Sequence, residues 1–247
     1  MNIVCIVQAR TGSTRLPGKV LKKICGKTIL EHDIDRLKRS NGIDKIVIAT
    51  TTKEQDDIIV EIAEKALVGY FRGSEQDVLS RYYYAAKQYD ADIVIRVTSD
   101  CPLIDPKIID NMVEKFKRLN KTENIDYLSN KIKPTYPRGL DVEIFTFKAL
   151  EKCFKEADKD YEKEHVTPYI YLNPDKFKFK NYENKKDYSK FRWTLDTKED
   201  LELIEIIYNN LYKENSFFYF EDILKFVLDN PEVSIVNENV RQKELAD

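Results

Sequence analysis

The stretch Ile3-Val-Cys-Ile-Val-Gln-Ala-Arg-Thr-Gly-Ser-Thr-Arg-Leu-Pro-Gly-Lys-Val-Leu21 decides how the rest of this chain is read. It opens on an unbroken apolar run, Ile3 to Val7, the mark of a strand buried on both faces of a parallel sheet. The loop from Ala9 to Lys19 then carries Arg10, Arg15 and Lys19 among Gly12, Ser13, Thr14 and Gly18. Glycines let backbone N–H groups turn toward a ligand, hydroxyls add donors, and clustered cations hold anionic charge. This composition points to polyphosphate binding, with a basic surface loop as the plainer alternative. It is not a Walker A loop: five residues instead of four separate Gly12 from Gly18-Lys19, and Val20 stands where Ser or Thr would bind magnesium. Gly26-Lys27-Thr28 fails too, because Leu21 occupies the required glycine position. No Gly-x-Gly-x-x-Gly occurs, so the dinucleotide fingerprint is absent.

Working outward, further strands are expected at Lys45 to Thr50, Val68 to Arg72 and Asp92 to Val97. Helical faces lie between them: Ile29, Ile34 and Leu37; then Ile58, Ile59, Ile62 and Ala66; then Val78, Leu79, Tyr82 and Ala86. Such alternation predicts an α/β fold with right-handed crossovers and a mostly parallel sheet covered on both faces. Ligands of such sheets sit outside the carboxyl ends of the strands. The Ala9 to Lys19 loop and Thr98-Ser-Asp-Cys-Pro102 both leave from such ends.

From about 125 to 188 the pattern changes. Pro134, Pro137, Pro174 and many aromatics surround short strand-like pieces at Val142 to Phe147 and Phe177 to Tyr182, with one helix near Glu162 to Leu172. This predicts an excursion from the sheet, after which Phe191 to Asp196 leads back to a helix from Glu199 to Tyr212. A single domain over 1–247 is expected. Tyr82-Tyr-Tyr84 and Phe217 to Phe220 read as packing, and Val233 to Asp247 as a polar end that frays.

A net charge of −2 and a pI near 5.9 argue against general nucleic-acid binding. Charged residues are 34% of the chain, mixed in sign along its length, as on solvated helix faces. No segment has the ~20 apolar residues of a membrane span, so no membrane insertion is expected. The first residues lack the basic region of a secretory signal. Cys5, Cys25, Cys101 and Cys153 are widely spaced with only His32 and His165 to assist, so zinc is not expected and reduced thiols in a cytoplasmic protein are.

Two acidic residues stand where a ligand would be. Asp100 follows a buried strand and precedes Pro102, as a ligand for a hard cation or as the start of a turn. Asp196 ends an apolar stretch ahead of a helix; Thr197 is a candidate N-cap with Asp200 three residues on, or Asp196 is itself the cap. Magnesium takes one or two protein carboxylates beside phosphate oxygens and water, a demand that two such residues near a cationic loop meet. Cys101, beside Asp100 but with no histidine near in sequence, is expected to be inert. Asp90-Ala-Asp92 precedes its strand, the wrong side for the Asp-x-Asp of a glycosyltransferase, which is a rival reading of the chain.

The segment Arg10-Thr-Gly-Ser-Thr-Arg-Leu-Pro-Gly-Lys19 resembles the signature of sugar cytidylyltransferases, which make CMP-Kdo and CMP-sialic acids. The SpsF-type spore-coat polysaccharide branch is the more similar. Its motifs are met by Gly73-Ser-Glu-Gln-Asp-Val-Leu-Ser-Arg81, Arg96-Val-Thr-Ser-Asp-Cys-Pro-Leu-Ile104, Pro137-Arg-Gly-Leu-Asp-Val-Glu143, Glu164-His-Val-Thr-Pro-Tyr169 and Arg192-Trp-Thr-Leu-Asp-Thr-Lys-Glu-Asp-Leu201, in that order. The similarity spans roughly 1–215. It implies a Rossmann-like nucleotide-diphospho-sugar transferase fold with an inserted arm. It also implies transfer of CMP from CTP to a sugar or sugar acid with release of pyrophosphate. Arg10, Arg15 and Lys19 then match positions that grip the triphosphate, alongside Ala9, Gly12 and Ser13 of the same loop; Asp100 and Asp196 match the magnesium pair, and Gly73, Ser74 and Asp77 the base and ribose pocket. Arg138, Asp141, Glu143, Glu164, His165 and Tyr169 fall in motifs suited to the acceptor, although Glu164 and His165 equally suit a structural tie between helices. A homodimer is implied as well. Another nucleotide, a phosphonate-type acceptor or a non-catalytic binding module are the remaining alternatives.

Overall fold

The computed structural model describes residues 1–213 and 217–242. In chain order β1 (Ile3–Gln8) leads through the loop to a small hairpin, β2 (Lys23–Ile24) and β3 (Lys27–Thr28), and then to α1 (Ile29–Leu37). β4 (Lys45–Thr51), α2 (Asp57–Lys65), β5 (Gly69–Gly73), α3 (Val78–Gln88) and β6 (Ile93–Thr98) continue the alternation, followed by α4 (Pro106–Glu123). Next come β7 (Tyr127–Ser129), β8 (Glu143–Thr146), α5 (Phe147–Glu156), α6 (Asp160–His165), α7 (Pro168–Tyr171) and β9 (Phe179–Asn181). α8 (Lys198–Leu211), α9 (Phe220–Asp229) and α10 (Pro231–Ile235) end the described chain.

One seven-stranded sheet runs β5-β4-β1-β6-β8-β7-β9. β1 pairs in parallel with β4 and β6, and β4 with β5; β8 runs antiparallel to β6 and β7, so the sheet is mixed. The central run Ile3 to Val7 is buried throughout, with Ile3, Cys5 and Val7 facing one apolar cluster and Val4 and Ile6 the other. The period-two alternation of a strand thus splits a continuous apolar run between two helical layers. α1, α2, α4, α8 and α9 supply one layer, while α3, α5 and α7 supply the other.

The middle of the chain departs from the sequence expectation in three ways. β7, β8 and β9 join the main sheet, extending its edge instead of leaving it. The single helix expected near Glu162 to Leu172 is split into α6 and α7 by a γ-turn: Val166 has φ +71°, and the Thr167 N–H donates to the His165 carbonyl at 2.8 Å. Pro168 removes an N–H from the start of α7. Expected Val142 to Phe147 shortens to β8 because Phe147 opens α5, capped by the Thr146 side chain. α4, capped by Asp105 with Pro106 at its first position, is an addition to the elements expected. The end beyond Val233 does not fray over its described part: Asn237 is buried and hydrogen bonded, and 243–247 lie outside the described residues.

Register places the functional loops. Gln8 at the end of β1 is the Cα partner of both Ala49 in β4 and Thr98 in β6, so the loops after β1 and β6 emerge side by side. Glu143 at the start of antiparallel β8 is the partner of Arg96 and reaches the same end of the sheet. Asp92 accepts the Asn2 backbone N–H at 2.6 Å, at the opposite end of β6.

Candidate active site

The loop after β1 is fixed at both ends. The Ala9 N–H donates to the Ala49 carbonyl at 3.1 Å, and Thr11 gives its N–H and hydroxyl to Asp56 Oδ1 at 2.8 and 2.7 Å. Gly18 closes it: its N–H bonds the Thr11 carbonyl at 3.0 Å, and its φ of +64° starts a single 3₁₀ turn anchored by buried Val20. Lys19 therefore leaves the loop from a set position.

Its ammonium meets three acceptors: Asp100 Oδ2 at 2.9 Å, Asp196 Oδ1 at 2.8 Å and the Leu195 carbonyl at 2.9 Å. These use all three of its protons. Arg15 Nη2 lies 2.8 Å from Asp196 Oδ2. Asp100 is tied to the other segment by its carbonyl, which accepts the Leu195 N–H at 2.8 Å and the Thr194 hydroxyl at 3.0 Å; the Thr98 hydroxyl donates to its Oδ1 at 2.5 Å. Burial opposes the charge on Asp100, but the Lys19 ammonium and the Thr98 hydroxyl outweigh it and hold the carboxyl well below its usual range. Burial likewise opposes protonation of Lys19, and Asp100 and Asp196 together raise it.

Arg192, Thr98 and Glu75 are participants that sequence reading does not single out, and Asp200, read there only as the partner of the Thr197 cap, also binds Arg192 and the Asp196 N–H. Arg192 holds Asp200 through two bonds of 2.9 Å and Asp196 through one of 3.0 Å. Their spacing along one motif was the available signal. Thr197, not Asp196, caps α8, in a reciprocal box with Asp200. Glu75 pairs with Arg10 at 3.2 Å and Lys53 at 2.5 Å, and a Cβ on Gly12 would lie 3.4 Å from its Oε1. Ser13 donates its N–H to the Thr11 carbonyl at 2.9 Å within the loop.

The residues matched to the base and ribose pocket lie at and just beyond the end of β5. A Cβ on Gly73 would fall 2.9 Å from Arg81 Cγ, so only glycine lets that side chain pass. Ser74 Oγ accepts the Asp77 N–H at 3.1 Å, and Asp77 caps α3 by accepting the Ser80 N–H at 2.8 Å.

The residues matched to the acceptor divide into two groups. Arg138 and Asp141 lie next to the catalytic segment: the Arg138 N–H and carbonyl pair with Phe191 and Trp193 at 3.0 and 2.7 Å. Gly139, at φ +103°, has the Trp193 carbonyl carbon only 2.5 Å from where a Cβ would stand. Burial raises the Asp141 carboxyl, against Lys131 and Arg138. Glu143, in contrast, is spent within the protein. It is buried against Arg96 and accepts the Tyr127 and Thr167 hydroxyls at 2.6 and 2.5 Å. Burial opposes its ionisation, yet Lys131, Arg96 and those hydroxyls push it down to about 2. The γ-turn delivers that Thr167 hydroxyl and leaves His165 half-buried, its imidazole pKa lowered by burial. Glu164 is exposed, and Tyr169 donates to Glu156 at 2.8 Å while packing on Phe177.

Two loop cations, Arg15 and Lys19, facing Asp100 at the carboxyl end of β6 and Asp196 ahead of α8, with Arg10 turned to Glu75, are therefore in place before any relative is considered. The sequence matches the family described as "Cytidylyltransferase" over residues 4–227. The chain belongs to the cytidylyltransferase family. This cytidylyltransferase is 44% identical over 248 residues to the uncharacterized protein MJ1063 of Methanocaldococcus jannaschii, spanning 98% of this chain and 97% of that one. It is 34% identical over 214 residues to the spore coat polysaccharide biosynthesis protein SpsF of Bacillus subtilis, covering 84% and 86%. The solved structure of a cytidylyltransferase from Leptospira borgpetersenii serovar Hardjo-bovis matches with a TM-score of 0.90 at 40% identity, over 99% of this chain and 100% of its own. Family membership makes the protein a nucleotidyltransferase. No helix among the described residues is long and apolar enough to cross a membrane.

Proposed function

We propose that this cytidylyltransferase transfers CMP from CTP to a hydroxyl of a sugar or sugar acid, with magnesium as cofactor, in the synthesis of surface glycans. The observation that carries the reading is the convergence of Asp100 and Asp196 on one ammonium, at 2.9 and 2.8 Å, beside the cationic loop. Two carboxylates that already share one cation suit a hard divalent ion, which takes few protein carboxylates and completes its shell with phosphate and water. When bound by Asp100 and Asp196, magnesium supplies charge neutralisation at the α-phosphate.

The chain's own groups do the rest. Arg10, Arg15 and Lys19 line the loop and are suited to the β- and γ-phosphates, where they oppose the charge that develops as pyrophosphate leaves. The acceptor oxygen bonds to the α-phosphorus, the bond from that phosphorus to the bridging oxygen breaks, and the hydroxyl proton is released. Positioning and charge suffice for such a transfer, so no covalent nucleophile is required. Cys101 agrees with this: its thiol is buried, and burial and nearby Asp100 hold its pKa far above the usual range. Arg138, held against the Phe191 to Trp193 segment, and Asp141, which accepts the Gly139 N–H, are the candidates for reading the acceptor.

Thermal unfolding with magnesium and each of CTP, UTP, GTP and ATP tests the nucleotide. Ligand at ~100 times Kd adds about 2.7 kcal/mol. Stabilisation by CTP, followed by pyrophosphate release with a sugar acid, is the expected result. Preference for another triphosphate would replace CTP in the reading, and stabilisation by nucleotide sugars alone would overturn it.

A further inference from the structure

Asp196 lies in an irregular segment between the bridge residue Arg192 and α8, so no regular element fixes it. A carboxylate in such a segment needs other restraints to face a cation in one geometry. Asp200 supplies them from the first turn of α8, with no exposed side-chain surface. Its Oδ2 accepts the N–H of Asp196 at 2.9 Å and of Thr197 at 3.1 Å, holding the peptides on both sides of the Asp196 Cα. Arg192 binds both Asp200 oxygens and reaches Asp196 Oδ2 at 3.0 Å with the same Nη2. Asn237 bolts the assembly from the C-terminal segment, donating to Asp200 Oδ1 at 2.8 Å and to the Arg192 carbonyl at 2.9 Å.

We propose that Arg192 and Asp200, braced by Asn237, are positioning residues for Asp196. They occupy its backbone N–H and its Oδ2 and so leave Oδ1, the oxygen now on Lys19, free to face the divalent cation shared with Asp100. The planar guanidinium fork is essential, because one side chain must hold two oxygens of Asp200 and one of Asp196 at once; lysine has no such geometry. This inference rests on the reading of Asp196 as a metal ligand. The rival role, a bare positive charge beside the site, predicts the opposite sign: removing a cation strengthens binding of another cation.

The test is Mn²⁺ binding to the full-length protein in the presence of CTP, followed by the electron paramagnetic resonance of free Mn²⁺. Wild type is compared with Arg192→Lys, Arg192→Gln, Asn237→Ala and Asp196→Asn, and turnover is measured against Mn²⁺ concentration. Loss of a partner that orients a metal ligand weakens metal binding roughly 10–100-fold. Both Arg192 variants are expected in that range, Asn237→Ala weaker in the same direction, with unchanged CTP affinity in chelator and most of kcat recovered at saturating Mn²⁺. Unchanged or tighter Mn²⁺ binding in Arg192→Gln overturns the positioning role, as does a rate loss that saturating Mn²⁺ does not recover. Should Arg192→Gln fail to fold, Asn237→Ala carries the same comparison, and wild-type Mn²⁺ affinity there overturns it. Absence of Mn²⁺ binding to wild type, or unaltered binding in Asp196→Asn, instead defeats the metal reading on which the inference stands.

Discussion

Replacing Lys19 by methionine leaves Asp100 and Asp196 facing each other without the ammonium that now separates them. One oxygen of each lies within 2.9 Å of that nitrogen. At a separation of about 5 Å and an effective dielectric of about 20, two unit charges repel by about 3 kcal/mol. The side chains retain 13% to 24% of their exposure, so solvent screens part of this. We expect a loss of about 2 kcal/mol of stability at pH 7, which for a chain of this size lowers Tm by about 4–8 °C.

The sign with pH follows from Asp100. Its carboxyl is depressed in the folded protein, so the contribution of the pair is complete above the ordinary carboxylate range, about pH 4, and is lost as pH falls below it. The difference in Tm between wild type and Lys19→Met therefore closes in acid. Millimolar magnesium should restore much of the lost Tm in the variant, because the ion takes the ammonium's place, while CTP turnover stays low for want of the cation that meets the leaving phosphates. Differential scanning fluorimetry across pH, with and without MgCl₂, reads all of this. A drop in Tm that magnesium leaves untouched, or no drop at all, would refute the argument that one cation locus is shared.

Three other outcomes follow from the same geometry. Gly139→Ala places a Cβ about 2.5 Å from the Trp193 carbonyl group at a positive φ; strain and overpacking together should remove about 2–4 kcal/mol, and a wild-type urea midpoint would contradict it. Glu143→Gln unpairs buried Arg96 and should cost about 3–5 kcal/mol at pH 7. Because folding depresses the Glu143 carboxyl to about 2, that gap should close as pH falls from the ordinary glutamate range toward 2; melting curves with a pH-independent gap would argue against the ion pair. Arg138→Gln should raise the acceptor KM tenfold or more and leave the CTP KM unchanged, whereas a change in the CTP KM alone would remove Arg138 from the acceptor site.

The local patterns carried much of the architecture. An apolar, β-branched run of five residues is too short for a buried helix and fits a strand inside a sheet, and a glycine-rich cationic loop after it belongs at the carboxyl end. The residues of that loop, the strands β1, β4, β5 and β6 and the Thr197–Asp200 cap are local arrangements, and local spacing specifies them. The broken helix at Val166 and the short strands β7 and β9 were less legible. Their form depends on what they dock against: the Thr167 hydroxyl on Glu143, and the edge of a sheet begun more than a hundred residues earlier.

The sequence by itself determined which groups are present: the loop cations, the two carboxylates Asp100 and Asp196, and a polar middle segment. Only the tertiary structure decided their division of labour. Lys19 and Asp196 stand 177 residues apart, and no periodicity encodes that they meet within 2.8 Å. Nor does it encode that Glu143 is consumed by Arg96 while Asp141 is left beside the site, or that Asn237 returns to brace Asp200. Burial and long-range charge pairing make those choices. Their energies exist only once distant segments have been brought together and water removed from between them.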